Sequence, residues 1–244
     1  MNEKEYNKII ELIYEGGITE KNLPRNLFTY TFQKLIEQVN KGYGTLKQLR
    51  KNSFKYNKAL MFRTNINVFS GAKTWHNIRD LRDGLEIGGS KLPFKEFQKY
   101  ARSVNETYNK NWLKSEMQAT KQMSISANKW DEFEEQKELF PLLKYVTVGD
   151  AKVRPDHAMW DGLVYPVNDS FWDTRMPPND WGCRCDVQQL TEGKVSRKST
   201  VKNDSKLFAN NPGKDDFIFD PNVHPYFKEI PREDKSNNFG LGFK

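Results

Sequence analysis

The stretch Tyr145-Val-Thr-Val-Gly-Asp150-Ala-Lys-Val-Arg154-Pro-Asp-His157-Ala-Met-Trp160-Asp161-Gly162 decides how this chain is read. It runs on through Phe171-Trp172-Asp173-Thr174 and Pro177-Pro178 to Trp181-Gly182-Cys183-Arg184-Cys185. Its first four residues, β-branched and aromatic, predict a short strand over 145–148. From 149 to 190, Asp, Pro, Gly and Trp recur too densely for long regular elements, and the apolar runs, such as 163–167, are small. That texture predicts a compact, loop-rich α+β module.

Two chemistries can be read into this module. His157, Cys183 and Cys185 are a candidate metal set, because neutral imidazole and thiolate both suit zinc. Zinc wants four ligands, and Asp150, Asp161 or His224 could supply the fourth. The alternative is a pair of buried thiols and a hydrogen-bonded histidine, since Cys-x-Cys is less typical of structural zinc than Cys-x2-Cys. A disulfide between Cys183 and Cys185 would close a strained ring. The second chemistry is phosphodiester cleavage, with Asp150, Arg154 and His157 as acid, cation and general base. Its structural counterpart has Asp150 capping a turn and pairing with Arg154 while His157 fixes the next loop. The sequence contains no P-loop, dinucleotide fingerprint, His-Glu-x-x-His pair or Gly-x-Ser-x-Gly elbow.

Upstream the pattern is helical. Tyr6, Ile9, Ile10, Ile13 and Tyr14 form a stripe over 4–15, closed by Gly16-Gly17. Pro24 can open a second helix, striped by Phe28, Phe32, Leu35, Ile36 and Val39 and stopped at 42–44. Residues 45–86 are basic and helical, with a break expected at Ser70-Gly71. Gly84, Gly88 and Gly89 mark a loop. A long helix then starts at 90–93 and runs to about Lys137, with an interruption expected near 124–126. Its apolar stripe is narrow, as on helices that pack on a partner.

The charge is uneven. The 244 residues carry a net +7, but residues 41–114 alone hold 16 Lys/Arg against 5 Asp/Glu, a net +11. Such a block suggests a polyanion, with Lys51, Lys55, Lys58, Arg63 and Lys73 as candidate nucleic-acid contacts. A solvated lysine-rich helical face is the plainer alternative.

Hydrophobic residues are 36% of the chain, yet 16 Phe, 10 Tyr and 6 Trp suffice for a modest core and argue against wholesale disorder. No apolar run approaches the roughly 20 residues of a membrane helix. No secretory signal opens the sequence, and two cysteines exclude a disulfide scaffold, so a reducing, intracellular origin is expected. Residues 193–244 are poor in aliphatics and predict an extended arm, with Phe217, Ile218, Phe219, Tyr226 and Phe227 as docking points for a partner. The chain thus reads as α+β in three regions. Residues 1–86 are helical and basic, 87–192 hold the long helix and the compact module, and 193–244 form the C-terminal arm.

Together these residues resemble the phage Mu F-like head morphogenesis family, the minor head proteins. The family pattern is an aromatic-β-Thr strand, Asp-x-Arg-x-Arg-Pro-x-His, an Asp/Asn-Gly turn, then Phe-Trp-Asp, Pro-Pro and Gly-Cys-Arg-Cys. The resemblance covers roughly 85–192 and is dense over 145–190. It marks Asp150, Arg154, His157, Asp161, Gly162, Trp172, Cys183, Arg184 and Cys185 as structural motif residues. Lys152 stands where Arg is expected, and Asn179-Asp180 where Asn-Gly is frequent. The residues after the module are too few and too loop-like for a fused toxin or ADP-ribosylation domain. The resemblance implies a few-copy virion protein inside the capsid at the portal vertex of a tailed phage. No enzymatic activity is expected, because Pro155 and the Asp161-Gly162 turn suit a locked loop better than an open cleft. During assembly it would occupy the host cytoplasm. Implied partners are the portal, other head proteins and, non-specifically, double-stranded DNA, with no membrane. The alternatives are a nuclease-like toxin using Asp150, Arg154 and His157, and a free DNA-binding accessory protein.

Overall fold

Helix α1 (Glu3–Tyr14) forms where its stripe and its cap agree. The Asn2 carboxamide accepts the Glu5 N–H at 2.9 Å, and the Glu5 carboxylate accepts the Asn2 N–H at 3.0 Å. Tyr6, Ile9, Ile10 and Ile13 are buried. Helix α2 (Arg25–Tyr43) follows Pro24 and buries Leu27, Phe28, Leu35 and Val39. Residues 45–53 are turns rather than helix, with Asn52 at φ 62. Helix α3 (Phe54–Asp83) then runs unbroken through Ser70-Gly71. Residues 69–78 are buried on every side, so no amphipathic stripe marks them. Gly71 serves close packing instead of a break: a Cβ there would lie 2.4 Å from the Phe239 ring.

Strands β1 (Glu86–Ile87) and β2 (Ser90–Lys91) make a small hairpin around Gly88 and Gly89. Helix α4 (Phe94–Asn105), a π-helical turn (Glu106–Trp112) and α5 (Leu113–Gln136) continue one another. The irregularity expected at 124–126 therefore sits at 106–112. Ser124 lies within α5, its hydroxyl donating to the Thr120 carbonyl one turn earlier at 2.7 Å.

The compact part is a three-stranded antiparallel sheet, β3 (Leu142–Val146) between β4 (Val164–Pro166) and β5 (Asp186–Leu190), with α6 (Pro155–Trp160) and α7 (Phe171–Arg175) in its connections. Leu143 pairs with Tyr165 and Gln189, and Tyr145 with Val187. Trp130, Phe133, Leu143, Tyr145, Trp160, Tyr165, Phe171 and Trp172 pack as one aromatic-rich cluster. Beyond β5 come a 3-10 turn (Lys206–Phe208) and the short helices α8 (Pro212–Asp215), α9 (Pro225–Lys228) and α10 (Arg232–Ser236). The chain is α+β, and this computed structural model describes residues 1–236, Phe239 and Leu241.

By contacts the chain divides into two discontinuous units, Met1–Glu37 with Arg63–Met117 and His224–Lys244, and Gln38–Phe62 with Gln118–Val223. The linear boundaries at 86/87 and 192/193 follow sequence texture and do not coincide with this division. The C-terminal arm has few regular elements, but its aromatics do not wait for a partner. Within the first unit, Tyr226 and Phe227 pack on Phe69 with ring centroids 5.4 and 6.1 Å apart. Ile218 and Phe219 are buried and Phe217 half-buried, and Phe208 meets Trp181 edge-on at 5.0 Å. Their apolar area is already removed from water within this chain.

Candidate functional site

The site grows from the end of β3. Gly149 turns the chain at φ 69, and the Asp150 carboxylate accepts the Lys152 N–H at 3.0 Å. Arg154 is extended, as a residue before proline must be, and Pro155 opens α6 at its first turn. That places His157 on the buried side of α6, its ring stacked on Trp160 at 5.2 Å and 21°. Asp161 accepts the Thr147 N–H at 2.7 Å, and Gly162, at φ 77, donates its N–H to the Tyr145 carbonyl. Trp172, fully buried, donates its indole N–H to the Pro166 carbonyl at 3.0 Å. The Pro177-Pro178 bond is cis, and Gly182 turns at φ 68 into Cys183-Arg184-Cys185.

His157, Cys183 and Cys185 meet. His157 Nδ1 lies 3.7 Å from Cys183 Sγ and 3.6 Å from Cys185 Sγ. Both cysteines are free, Cys183 buried and Cys185 half-buried. Donation from Cys185 draws the Cys183 thiol well below the ordinary range, helped by His157 and by the backbone N–H groups of Asn179 and Cys185. The same bond to Cys183, together with burial, pushes Cys185 up. Nearby, the Tyr145 hydroxyl accepts from the Asn179 amide at 2.9 Å, and Gln122 donates to the Cys183 carbonyl at 2.9 Å. Neither Tyr145 nor Gln122 carries a sequence signal for this role.

Asp150, Arg154 and His157 do not assemble as acid, cation and base. Asp150 takes a bidentate pair from Arg184, 2.7 Å on each oxygen, which holds its carboxyl at about 2. Arg154 pairs instead with Asp180 at 2.8 Å and donates to the Trp181 carbonyl. The expected Asp150–Arg154 pair is thus replaced by two pairs that tie the Asp150 turn and Arg154 to the cysteine loop. Helical backbone would have set side chains four residues apart on one face, but this segment is a turn.

The model of one protein family, described as Phage Mu protein F like protein, matches residues 76–188. Residues 76–188, a little under half of the chain, resemble the Mu F-like family. Capsid assembly protein F of Escherichia phage Mu is 41% identical over 58 residues, which cover 24% of this chain and 13% of that protein. The Mu-like prophage FluMu F protein of Haemophilus influenzae is 43% identical over 58 residues, 24% of this chain and 14% of that protein. The match therefore spans about one-seventh of the length of these curated relatives. No solved structure matches the chain.

The module's two departures from the family pattern have local explanations. Lys152 contributes its backbone N–H to the Asp150 turn while its side chain is exposed. Asp180, where glycine is frequent, is the partner of Arg154, and Asn179 is buried, donating to the Tyr145 hydroxyl at 2.9 Å.

Part of the basic block is neutralised by ion pairs. Lys58 is buried against Asp131 at 2.7 Å, and Lys73 is buried in an ion pair with Glu116. Both leave the set of candidate DNA contacts. Arg79 pairs with Asp80 and Glu229, and Arg82 with Glu20. Lys51 and Arg63 are exposed, and Lys55 is half-buried with its ammonium on Asn128 at 3.2 Å.

The proposed fourth ligands lie elsewhere: Asp150 and Asp161 are engaged as described, and His224 is buried against Phe69 in the first unit. Burial, then the charges of Lys73 and His76, pull His224 from an ordinary 6.5 to about 4. Between those values the unfolded chain binds the proton that the folded chain refuses. This contribution is therefore complete above pH 6.5 and is lost as pH falls towards 4, amounting to about 3 kcal/mol. His224 also caps α9 by accepting the Tyr226 N–H at 3.3 Å, a task asparagine can perform. Urea unfolding of His224→Asn across this window is expected to give a flatter stability profile than the parent. An unchanged profile would assign the acid sensitivity to other groups.

Proposed function

We propose that this chain is a structural minor head protein of a tailed phage, acting in head assembly inside the capsid at the portal vertex. The observation that carries this reading is the Mu F-like module, together with a relative whose name is capsid assembly protein F. Its partners would be the portal and other head proteins, met in the host cytoplasm during assembly. The site chemistry agrees with a structural role, because Asp150 and Arg154, the groups a nuclease would need, are held in ion pairs with Arg184 and Asp180. Nothing in the site favours the toxin reading. Among the described residues, no helix is long and apolar enough to cross a membrane. Contact with packaged DNA would use the exposed Lys51 and Arg63, with Lys55 beside them in sequence.

Two measurements test this. Quantitative mass spectrometry of purified virions is expected to find the protein at a few copies per particle, and its absence from virions would refute the proposal. Double-stranded DNA binding is expected to be independent of sequence and to weaken steeply with salt. Lys51→Glu with Lys55→Glu should reduce the slope of log K against log salt by about 2, one counterion's worth per lost contact. An unchanged slope would remove these two lysines from the DNA surface.

A further inference from the structure

We propose that the Mu F-like module binds one zinc ion through His157 Nδ1, Cys183 Sγ and Cys185 Sγ, with solvent in the fourth position. A single imidazole nitrogen has one proton or one lone pair, so Nδ1 can serve one sulfur in a hydrogen bond. Here it stands 3.7 and 3.6 Å from two sulfurs, an almost symmetric approach. A cation between the three atoms satisfies both sulfurs at once. The dimensions fit: bonds of about 2.3 Å to sulfur and 2.05 Å to nitrogen at tetrahedral angles put N and S about 3.6 Å apart. The three ligand atoms all lie within 4.8 Å of one another.

The Cys-x-Cys spacing, unusual for zinc, follows from the extended backbone entering β5. Alternate side chains of extended backbone share a face. Cys183 and Cys185 therefore both reach His157, while Arg184 between them pairs with Asp150. Two thiolates and a divalent ion sum to zero charge, so the buried cluster carries no net charge to desolvate. Metal on Nδ1 puts the ring proton on Nε2, the nitrogen on the Asp156 side of the ring, 3.9 Å from that carboxylate. The softness of a two-sulfur, one-nitrogen set selects zinc over magnesium or calcium. Among the described residues no other His, Cys, Asp or Glu joins the three, which leaves the fourth position to solvent.

The test uses the full chain without a histidine tag, grown with added zinc. Elemental analysis is expected to find one zinc per chain, and zinc X-ray absorption to count two sulfurs in the first shell. After chelation, titration with Co2+ should produce the intense visible bands of tetrahedral cobalt and a thiolate charge-transfer band. Cys183→Ser and Cys185→Ser should each weaken the charge-transfer band, and the double variant should abolish it. Should these variants fail to fold, the wild-type measurements decide alone. Folded wild type with substoichiometric zinc and no cobalt–thiolate band would overturn the proposal. So would stoichiometric zinc without sulfur in its shell.

Discussion

Trp172→Ala is expected to lower stability by about 3–5 kcal/mol, the range for truncating a fully buried aromatic. Trp172 has no exposed surface and meets Phe171 edge-on at 4.9 Å. Its indole N–H is the donor to the Pro166 carbonyl at 3.0 Å, so truncation opens a cavity and takes a hydrogen bond from β4. Spread over a chain of this size, the loss corresponds to a fall in Tm of roughly 10 °C. Trp172→Phe separates the two effects: it keeps most of the packing and loses only the hydrogen bond, worth about 1–3 kcal/mol. Urea unfolding followed by circular dichroism measures both. A loss under about 1 kcal/mol for the alanine variant would mean the aromatic cluster relaxes around the gap, contrary to close packing.

Lys73→Met is expected to cost about as much, 3–5 kcal/mol, for a different reason: it leaves an uncompensated carboxylate in the interior (about the usual cost of breaking a buried pair). Lys73 and Glu116 are both almost fully buried, and they face one another. Burial pushes the lysine down and the glutamate up, each towards its neutral form, and each partner's charge pulls back against that. Their worth therefore lies in mutual compensation. Lys73→Met with Glu116→Gln should recover most of the loss, because the amide still accepts from the Tyr226 hydroxyl, which lies 3.4 Å from Glu116. A double variant as unstable as the single one would show that the lysine acts through packing and its contact with the Tyr226 ring, not through charge.

Much of the Mu F-like module was legible without coordinates because its instructions are local. Pro155 fixes the first turn of α6, Gly162 and Gly182 permit positive φ, and Asp150 closes its turn on a backbone two residues away. The same holds for α1, whose capping box and stripe lie within one short segment. The burial of Lys58 and Lys73 within the basic block was not legible, for the opposite reason. Lys73 finds Glu116 at 43 residues' separation and Lys58 finds Asp131 at 73, distances over which composition carries no pairing information.

By itself, then, the sequence determined the helical stripes, the turn positions and the ordered motif that marks the module, since each depends on neighbours along the chain. Tertiary structure alone decided which charges are buried, that Asp150 answers to Arg184 and Arg154 to Asp180, and that the arm's aromatics fold back. It also decided that α3 passes unbroken through Gly71, where the Phe239 ring fills the space a side chain would take. His157 and the two cysteines stand between these cases. Their types were readable as ligands, but their meeting depends on α6 and the Gly182 turn closing 26 and 28 residues of chain onto one ring nitrogen. Long-range closure of that kind is set by the packing of the whole unit, which no local pattern encodes.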